Sequence, residues 1–180
     1  MSIGMKRGTV FLEEHQPAWE ENARAVIADI QSALNDMNTD VQHIGSTSVK
    51  SIKAKPIIDI AVAVNDLDEV IAHNNELAKH NIIFRFDERP KHLLYVKGDF
   101  ENDTRTHHIH VVLKDSEEWK NYLCFRDYLN DNFSIAKEYE ALKLKLSEQY
   151  GNDRNAYTDA KEDFIRKVSA KAREIFADKY

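Results

Sequence analysis

His43-Ile44-Gly45-Ser46-Thr47-Ser48-Val49, followed by Lys55-Pro56-Ile57-Ile58-Asp59-Ile60-Ala61-Val62-Ala63-Val64, decides how this chain folds. Residues 41–44 read as a short strand running into a small-residue loop. Residues 57–64 form a nearly unbroken apolar run, as in a strand covered on both faces. Gly45 lets the backbone turn or approach a ligand closely. Ser46, Thr47 and Ser48 add hydroxyls and successive N–H groups that can cradle a phosphate. An ionised carboxylate inside an apolar strand is unfavourable unless it is paired or bound to metal. Asp59 is therefore the first candidate for a catalytic residue and metal ligand. A plain turn after a strand accounts for Gly45-Ser46 equally well. Lys53 and Lys55, close in sequence, are either phosphate partners, counter-charges for Asp59, or solvated loop cations.

Outward from this stretch, glycine and proline are scarce, with five and three in the chain, so each break carries weight. Pro17 suits a first helical turn, and Ala23, Val26, Ile27, Ile30, Ala33 and Leu34 recur at helical spacing, which predicts a helix over 17–36. Asp66 can cap a helix reaching about Lys79. Strands are predicted at 81–87, 92–97 and 106–113, with a polar turn at 98–103. From Ser116, a plausible N-cap, the pattern turns helical, with further helices over roughly 134–149 and 155–176 divided at Gly151-Asn152-Asp153. This order predicts an α/β or α+β core over residues 1–115 and a helical portion over 116–180, packed together as one unit.

Composition narrows the function classes. The chain has 180 residues, of which 42% are hydrophobic and 31% charged, so it can bury a core and is not generally disordered. A single cysteine, Cys124, excludes a disulfide framework and a cysteine zinc site within one chain. No apolar run approaches the ~20 residues of a membrane span, and Phe11-Leu12 is followed at once by Glu13-Glu14, unlike a signal peptide. A cytoplasmic protein with no membrane partner is expected. Net charge is −6; residues 1–119 carry 13 Lys+Arg against 20 Asp+Glu, and residues 120–180 carry 12 against 11. Duplex nucleic acid, whose binding rests on phosphate neutralisation, is a poor fit. A nucleotide or other phosphorylated small molecule held by a few local cations fits better.

Eight histidines occur, three of them in His107-His108-Ile109-His110. In a strand His108 and His110 share one face and His107 takes the other. If that strand neighbours Asp59, then Asp59, His108 and His110 could converge on one metal, with His43 as a further member. Imidazole would shift the choice from Mg²⁺ toward Mn²⁺, Fe²⁺ or Zn²⁺. Core hydrogen bonding is the alternative for each histidine alone. Arg105, just before this strand, offers a bidentate fork for phosphate. Arg126 and Asp127 read as a structural ion pair, and Trp19 as packing.

His43-Ile-Gly-Ser-Thr-Ser-Val and Ala54-Lys-Pro-Ile-Ile-Asp-Ile resemble the hallmark of the GrpB-like family, a bacterial group of the nucleotidyltransferase superfamily. The resemblance continues through Thr106-His-His-Ile-His-Val-Val, Phe125-Arg-Asp-Tyr-Leu, Tyr139 with Leu142-Lys143, and Tyr157-Thr158 with Lys161 and Phe164. It covers nearly the whole chain. One departure is Lys50-Ser51, where the family commonly has Pro-Gly. The resemblance implies a polymerase-β-like nucleotidyltransferase core with a mixed sheet. In that superfamily a Gly-Ser loop holds nucleotide phosphates, and two carboxylates one residue apart, with a third from a neighbouring strand, hold two divalent cations, Mg²⁺ or Mn²⁺. Gly45 and Ser46 match the loop and Asp59 the first carboxylate, but the second carboxylate position is Ala61. Lys143 and Lys161 match positions that would form a cationic wall facing the loop; a solvated helix face is the other reading. Three functions compete: nucleotidyl transfer or nucleotide binding, metal-dependent phosphoester hydrolysis by Asp59 with the histidine pair, and ligand binding by a lapsed enzyme.

Overall fold

In a computed structural model that describes residues 3–88 and 92–180, the apolar run around Asp59 is an interior strand of a six-stranded mixed sheet. This strand, β3 (Ile58–Val64), lies between β2 (Asp40–Ile44), antiparallel to it, and β6 (Thr104–Leu113), parallel to it. Beyond β6 follow β5 (His92–Asp99) and β4 (Ile83–Glu88), each antiparallel to its neighbour. A two-residue strand not expected from the sequence, β1 (Met5–Lys6), pairs with the start of β6. The strand order is β2-β3-β6-β5-β4.

Period-2 alternation divides the side chains of β3 and β6 between two faces. Ile58, Ile60 and Val62 of β3, with Ile109 and Val111 of β6, pack against Trp19, Ala23, Val26 and Ile30 of α1 (Pro17–Ala33). Leu67 and Val70 of α2 (Leu67–Ala72) and Leu77 of α3 (Asn74–Lys79) complete this layer. On the other face Ile44, Ala61, Ala63 and Val112 meet Trp119 and Leu123 of α4 (Glu117–Asp131). Burying one Ile or Val contributes about 1.5–3 kcal/mol, so this strand can carry one carboxylate and remain strongly held.

The remaining helices are α5 (Phe133–Gln149), α6 (Arg154–Asp159) and α7 (Glu162–Ile175). Residues of α4, α5 and α7 form a cluster with Val49 and Ile52, which ties them to the segment between the Gly-Ser turn and β3. Glu140 and Lys143 of α5 clasp the backbone of that segment. The Glu140 carboxylate accepts from Lys53 N at 2.5 Å, and Lys143 Nζ donates to Lys53 O at 2.5 Å. Asp66 and Ser116 cap α2 and α4, accepting from Asp68 N at 2.8 Å and Trp119 N at 3.2 Å.

Two segments with one continuous helical pattern are each two helices. The segment from Asp66 to Lys79 breaks at His73, whose backbone (φ −89°, ψ 9°) ends α2 and begins α3. Its Nδ1 is bonded to Glu69 O at 2.7 Å, a local bond that competes with continuing the helix. The segment 155–176 breaks at Ala160-Lys161 between α6 and α7. The first helix ends at Ala33, three residues short of the predicted 36. Among the described residues no helix is long and apolar enough to cross a membrane.

Candidate functional site

Strand register builds the site. Ile44 lies opposite Asp59 across β2–β3, Asp59 is beside His108 and Ala61 beside His110 across β3–β6, and in-register neighbours project to the same face. Gly45 follows Ile44 at φ 71°, ψ −170°, a conformation essentially reserved for glycine. A Cβ there would lie 2.5 Å from Asp59 Oδ2, so the absent side chain is what admits the carboxylate. The backbone then turns through a short 3₁₀ segment, Ser46–Ser48.

Asp59 is held by imidazoles. His108 Nδ1 is 3.2 Å and His110 Nε2 3.9 Å from Asp59 Oδ1. Arg154 Nη2, from the first turn of α6, is 2.9 Å from His108 Nε2. A guanidinium only donates, so His108 Nε2 accepts and its proton sits on Nδ1, which donates to Asp59. Burial pushes the Asp59 carboxyl upward, but hydrogen bonds and attraction from His108 and His110 outweigh it and hold the group well below the usual carboxylate range. Burial lowers the His108 pKa against the pull of Asp59, so the ring is neutral at pH 7.

In front of this chain lies a cleft of about 820 Å³, walled by the Gly-Ser turn on one side and by α4–α7 on the other. Three lysines reach into it. Lys55 and Lys161 lie on the ring of Tyr157, at 5.1 and 4.5 Å from its centroid, and Lys143 lies 4.7 Å from that of Tyr139. Lys143 and Lys161 are only 2% and 9% exposed, and none of the three pairs with a carboxylate among the described residues. Burial, then repulsion from Lys161 and Arg154, pushes Lys55 down to about 7. Burial, then Lys161, brings Lys143 to about 7. Lys161 falls to about 8 through burial, partly offset by Asp59. The Tyr139 hydroxyl, raised to about 12 by burial, is hydrogen-bonded to Ser46. The buried Tyr157 hydroxyl has no partner among the described residues. Tyr122 and Phe125 of α4 supply aromatic surface to the same cleft.

The structure therefore brings Gly45, Ser46, Thr47, Lys55, Asp59, His108, His110 and Lys161 around one cavity. Three other expected residues stand elsewhere. His43 pairs in register with Ile60 and so projects to the opposite face from Asp59; its Nε2 is bonded to Thr47 Oγ1 at 2.9 Å, and burial lowers it to about 4. Ser48 turns its hydroxyl back to Gly45 O, donating at 2.6 Å, and closes the turn. Arg105, 6% exposed, faces a separate cavity, with Nη2 at 3.2 Å from Asp103 Oδ1 and its guanidinium over the Phe100 ring. Arg126 and Asp127 form their ion pair at 2.7 Å, and Trp19 is core. Arg154 escaped the sequence reading: a lone arginine after a Gly-Asn-Asp turn looks like any solvated helix start.

The residues present do not fit a two-cation centre. Ala61 is fully buried against Ile44, Trp119 and Leu123, with no donor at the second carboxylate position. The adjoining strand offers His108 and His110 in its place, and both nitrogens of His108 are engaged. Among the described residues no three His, Cys, Asp or Glu side chains are grouped so that they could hold one ion.

Residues 9–171 match the family model of the GrpB protein. The chain is 37% identical over 169 residues to the glutamate-rich protein GrpB of Alkalihalophilus pseudofirmus, covering 92% of this chain and 97% of that one. It is 35% identical over 163 residues to a UPF0157 protein of Streptomyces coelicolor, covering 91% and 84%. Its fold matches the crystal structure of the conserved protein GrpB from Enterococcus faecalis with a TM-score of 0.84 at 31% identity, covering 92% of this chain and 99% of that one. A more distant likeness, TM-score 0.52 at 12% identity, is to the Cid1 poly(U) polymerase in its MgGTP-bound form, over 75% of this chain and 43% of that chain. At that identity the likeness is one of fold: a mixed sheet of nucleotidyltransferase type.

Proposed function

The chain belongs to the GrpB family, and we propose that its cleft binds the phosphates of a nucleotide or another phosphorylated small molecule. One observation carries this reading: Lys55, Lys143 and Lys161 are gathered in one cavity wall without a carboxylate paired to any of them among the described residues. Grouped burial disfavours the charged form of each, and a polyanion supplies the missing counter-charge. Backbone N–H groups of Ser46 and Thr47 and the Ser46 hydroxyl offer directed donors on the facing wall, while Ser48 N is used on Gly45 O. Tyr122 and Phe125 give a base or other flat apolar group a surface to stack on. The volume, about 820 Å³, lies within the range of sites for molecules of nucleotide size.

Asp59 has a role in this site without a metal: it accepts from His108 Nδ1, which leaves Nε2 to accept from Arg154 Nη2 and so fixes that guanidinium at the edge of the cleft. Two-cation nucleotidyl transfer is not part of the proposal, because Ala61 leaves that centre without its second carboxylate.

Titration calorimetry with ATP, GTP, CTP, UTP and inorganic pyrophosphate tests the binding. Saturable heat is expected with at least one of them, and Lys55→Ala/Lys161→Ala should weaken it by about tenfold or more, since charge-assisted contacts are worth over 1.4 kcal/mol. Absence of binding by all five, or binding indifferent to both lysines, rejects the reading.

A further inference from the structure

On the other side of His108 from the lysines lies a second cavity, of about 450 Å³, that the proposed function does not use. Four arginines line it, each from a different element: Arg7 after β1, Arg85 on β4, Arg105 on β6 and Arg154 on α6. We propose that this cavity is a second anion site, taking a phosphate or diphosphate group.

Arg7 and Arg85 form no ion pair with any described residue, so their guanidiniums are uncommitted. Arg105 is nearly buried and fixed in place, with Asp103 on Nη2, Thr104 O accepting from Nη1 at 3.3 Å, and Phe100 beneath it. Among the described residues the one acid lining the cavity is Asp153, and its Oδ1 caps α6, accepting from Ala156 N at 3.0 Å. Arg7 and Arg85 add two guanidiniums beside Arg105 and Arg154, which Asp103 and His108 fix in place, and such a group favours an oxyanion that can accept several paired hydrogen bonds. Arg154 is itself lowered by burial, with Asp59 opposing and Arg105 and Arg7 lowering it further, so it already senses its cationic neighbours. Arg154 and His108 line both cavities, which makes them the partition between the two sites.

Pyrophosphate titration of three proteins decides this, with folding of each checked by circular dichroism. The wild type should bind two equivalents. Arg7→Ala/Arg85→Ala, both exposed positions, should bind one, the other weakened about tenfold or more. Lys55→Ala/Lys161→Ala should also bind one, and it should be the equivalent that the arginine variant lacks. If the arginine variant matches the wild type, the second site is overturned. If each variant alone abolishes all binding, there is one shared site and the proposal also fails. If the lysine variant changes nothing while the arginine variant loses its equivalent, the arginine site stands and the lysine cleft reading falls.

Discussion

Gly45 meets two demands that no other residue meets together. Its backbone sits at φ 71°, ψ −170°, and the space a Cβ would need is filled by the Asp59 carboxylate. Gly45→Ala should therefore destabilise the protein by about 2–3 kcal/mol and push Asp59 away from His108. Urea denaturation gives the first effect. NMR titration of the His108 ring gives the second: losing its carboxylate partner, the ring should titrate lower still, because the attraction of Asp59 is what opposes burial. An alanine variant of wild-type stability would show that the turn relaxes freely. At this scale the sequence was informative where neighbours in space are neighbours in pattern. Gly45 directly follows β2, Asp59 is the second residue of the adjacent β3, and His108 and His110 keep the period of 2, so their convergence was legible. His43 shows the same rule from the other side: its alternation within β2, in register with Ile60, assigns it to the α1 face and away from Asp59. Arg154 was not legible, because its contact with His108 depends on how a distant helix docks rather than on local spacing.

Among the elements, the junction of α6 and α7 has the most to do with the site. The helical period runs through 155–176 without interruption, yet the chain leaves the helix at Ala160-Lys161, where both residues keep near-helical angles. No glycine or proline marks the break, so composition could not reveal it. Lys161 stands at this break, one turn after Tyr157 and on the same face, and enters the cleft over the Tyr157 ring. A buried lysine lowered to about 8 weakens the fold while it is charged. Lys161→Met should thus raise stability without ligand by about 1 kcal/mol, or roughly 2–4 °C in Tm for a chain of this size. The same variant should lose affinity for pyrophosphate by about tenfold. A gain in stability paired with a loss of binding marks a residue kept for function. A loss of stability would instead make Lys161 a structural prop, and thermal melting distinguishes the two.

Across the whole molecule, the buried lysines make stability and binding respond to pH in opposite directions. Their ordinary pKa is 10.5, and in the fold Lys55 and Lys143 lie at about 7 and Lys161 at about 8. Between these values the unfolded chain binds more protons than the folded one, so stability rises with pH. The penalty is complete below the folded values and is relieved as pH climbs toward 10.5. Groups of the opposite sign enter later: burial raises Cys124 above its usual 9.0, and Tyr139 to about 12, so each removes stability only once its unfolded form titrates. The lysines therefore govern the interval from pH 7 to 9, and the Tm of the free protein should increase across it. A bound polyanion prefers the protonated lysines, so complex formation should take up protons in that interval and weaken as pH rises. Calorimetry in two buffers of different ionisation enthalpy measures the uptake, and melting with and without pyrophosphate at pH 7 and pH 9 measures the linkage. The free protein should melt higher at pH 9, while the increment from ligand should shrink. If the increment stays constant while the free protein gains, the ligand is not held by these lysines. If neither moves, the three side chains are not titrating in the cleft, and the physical basis for a phosphate site there is gone.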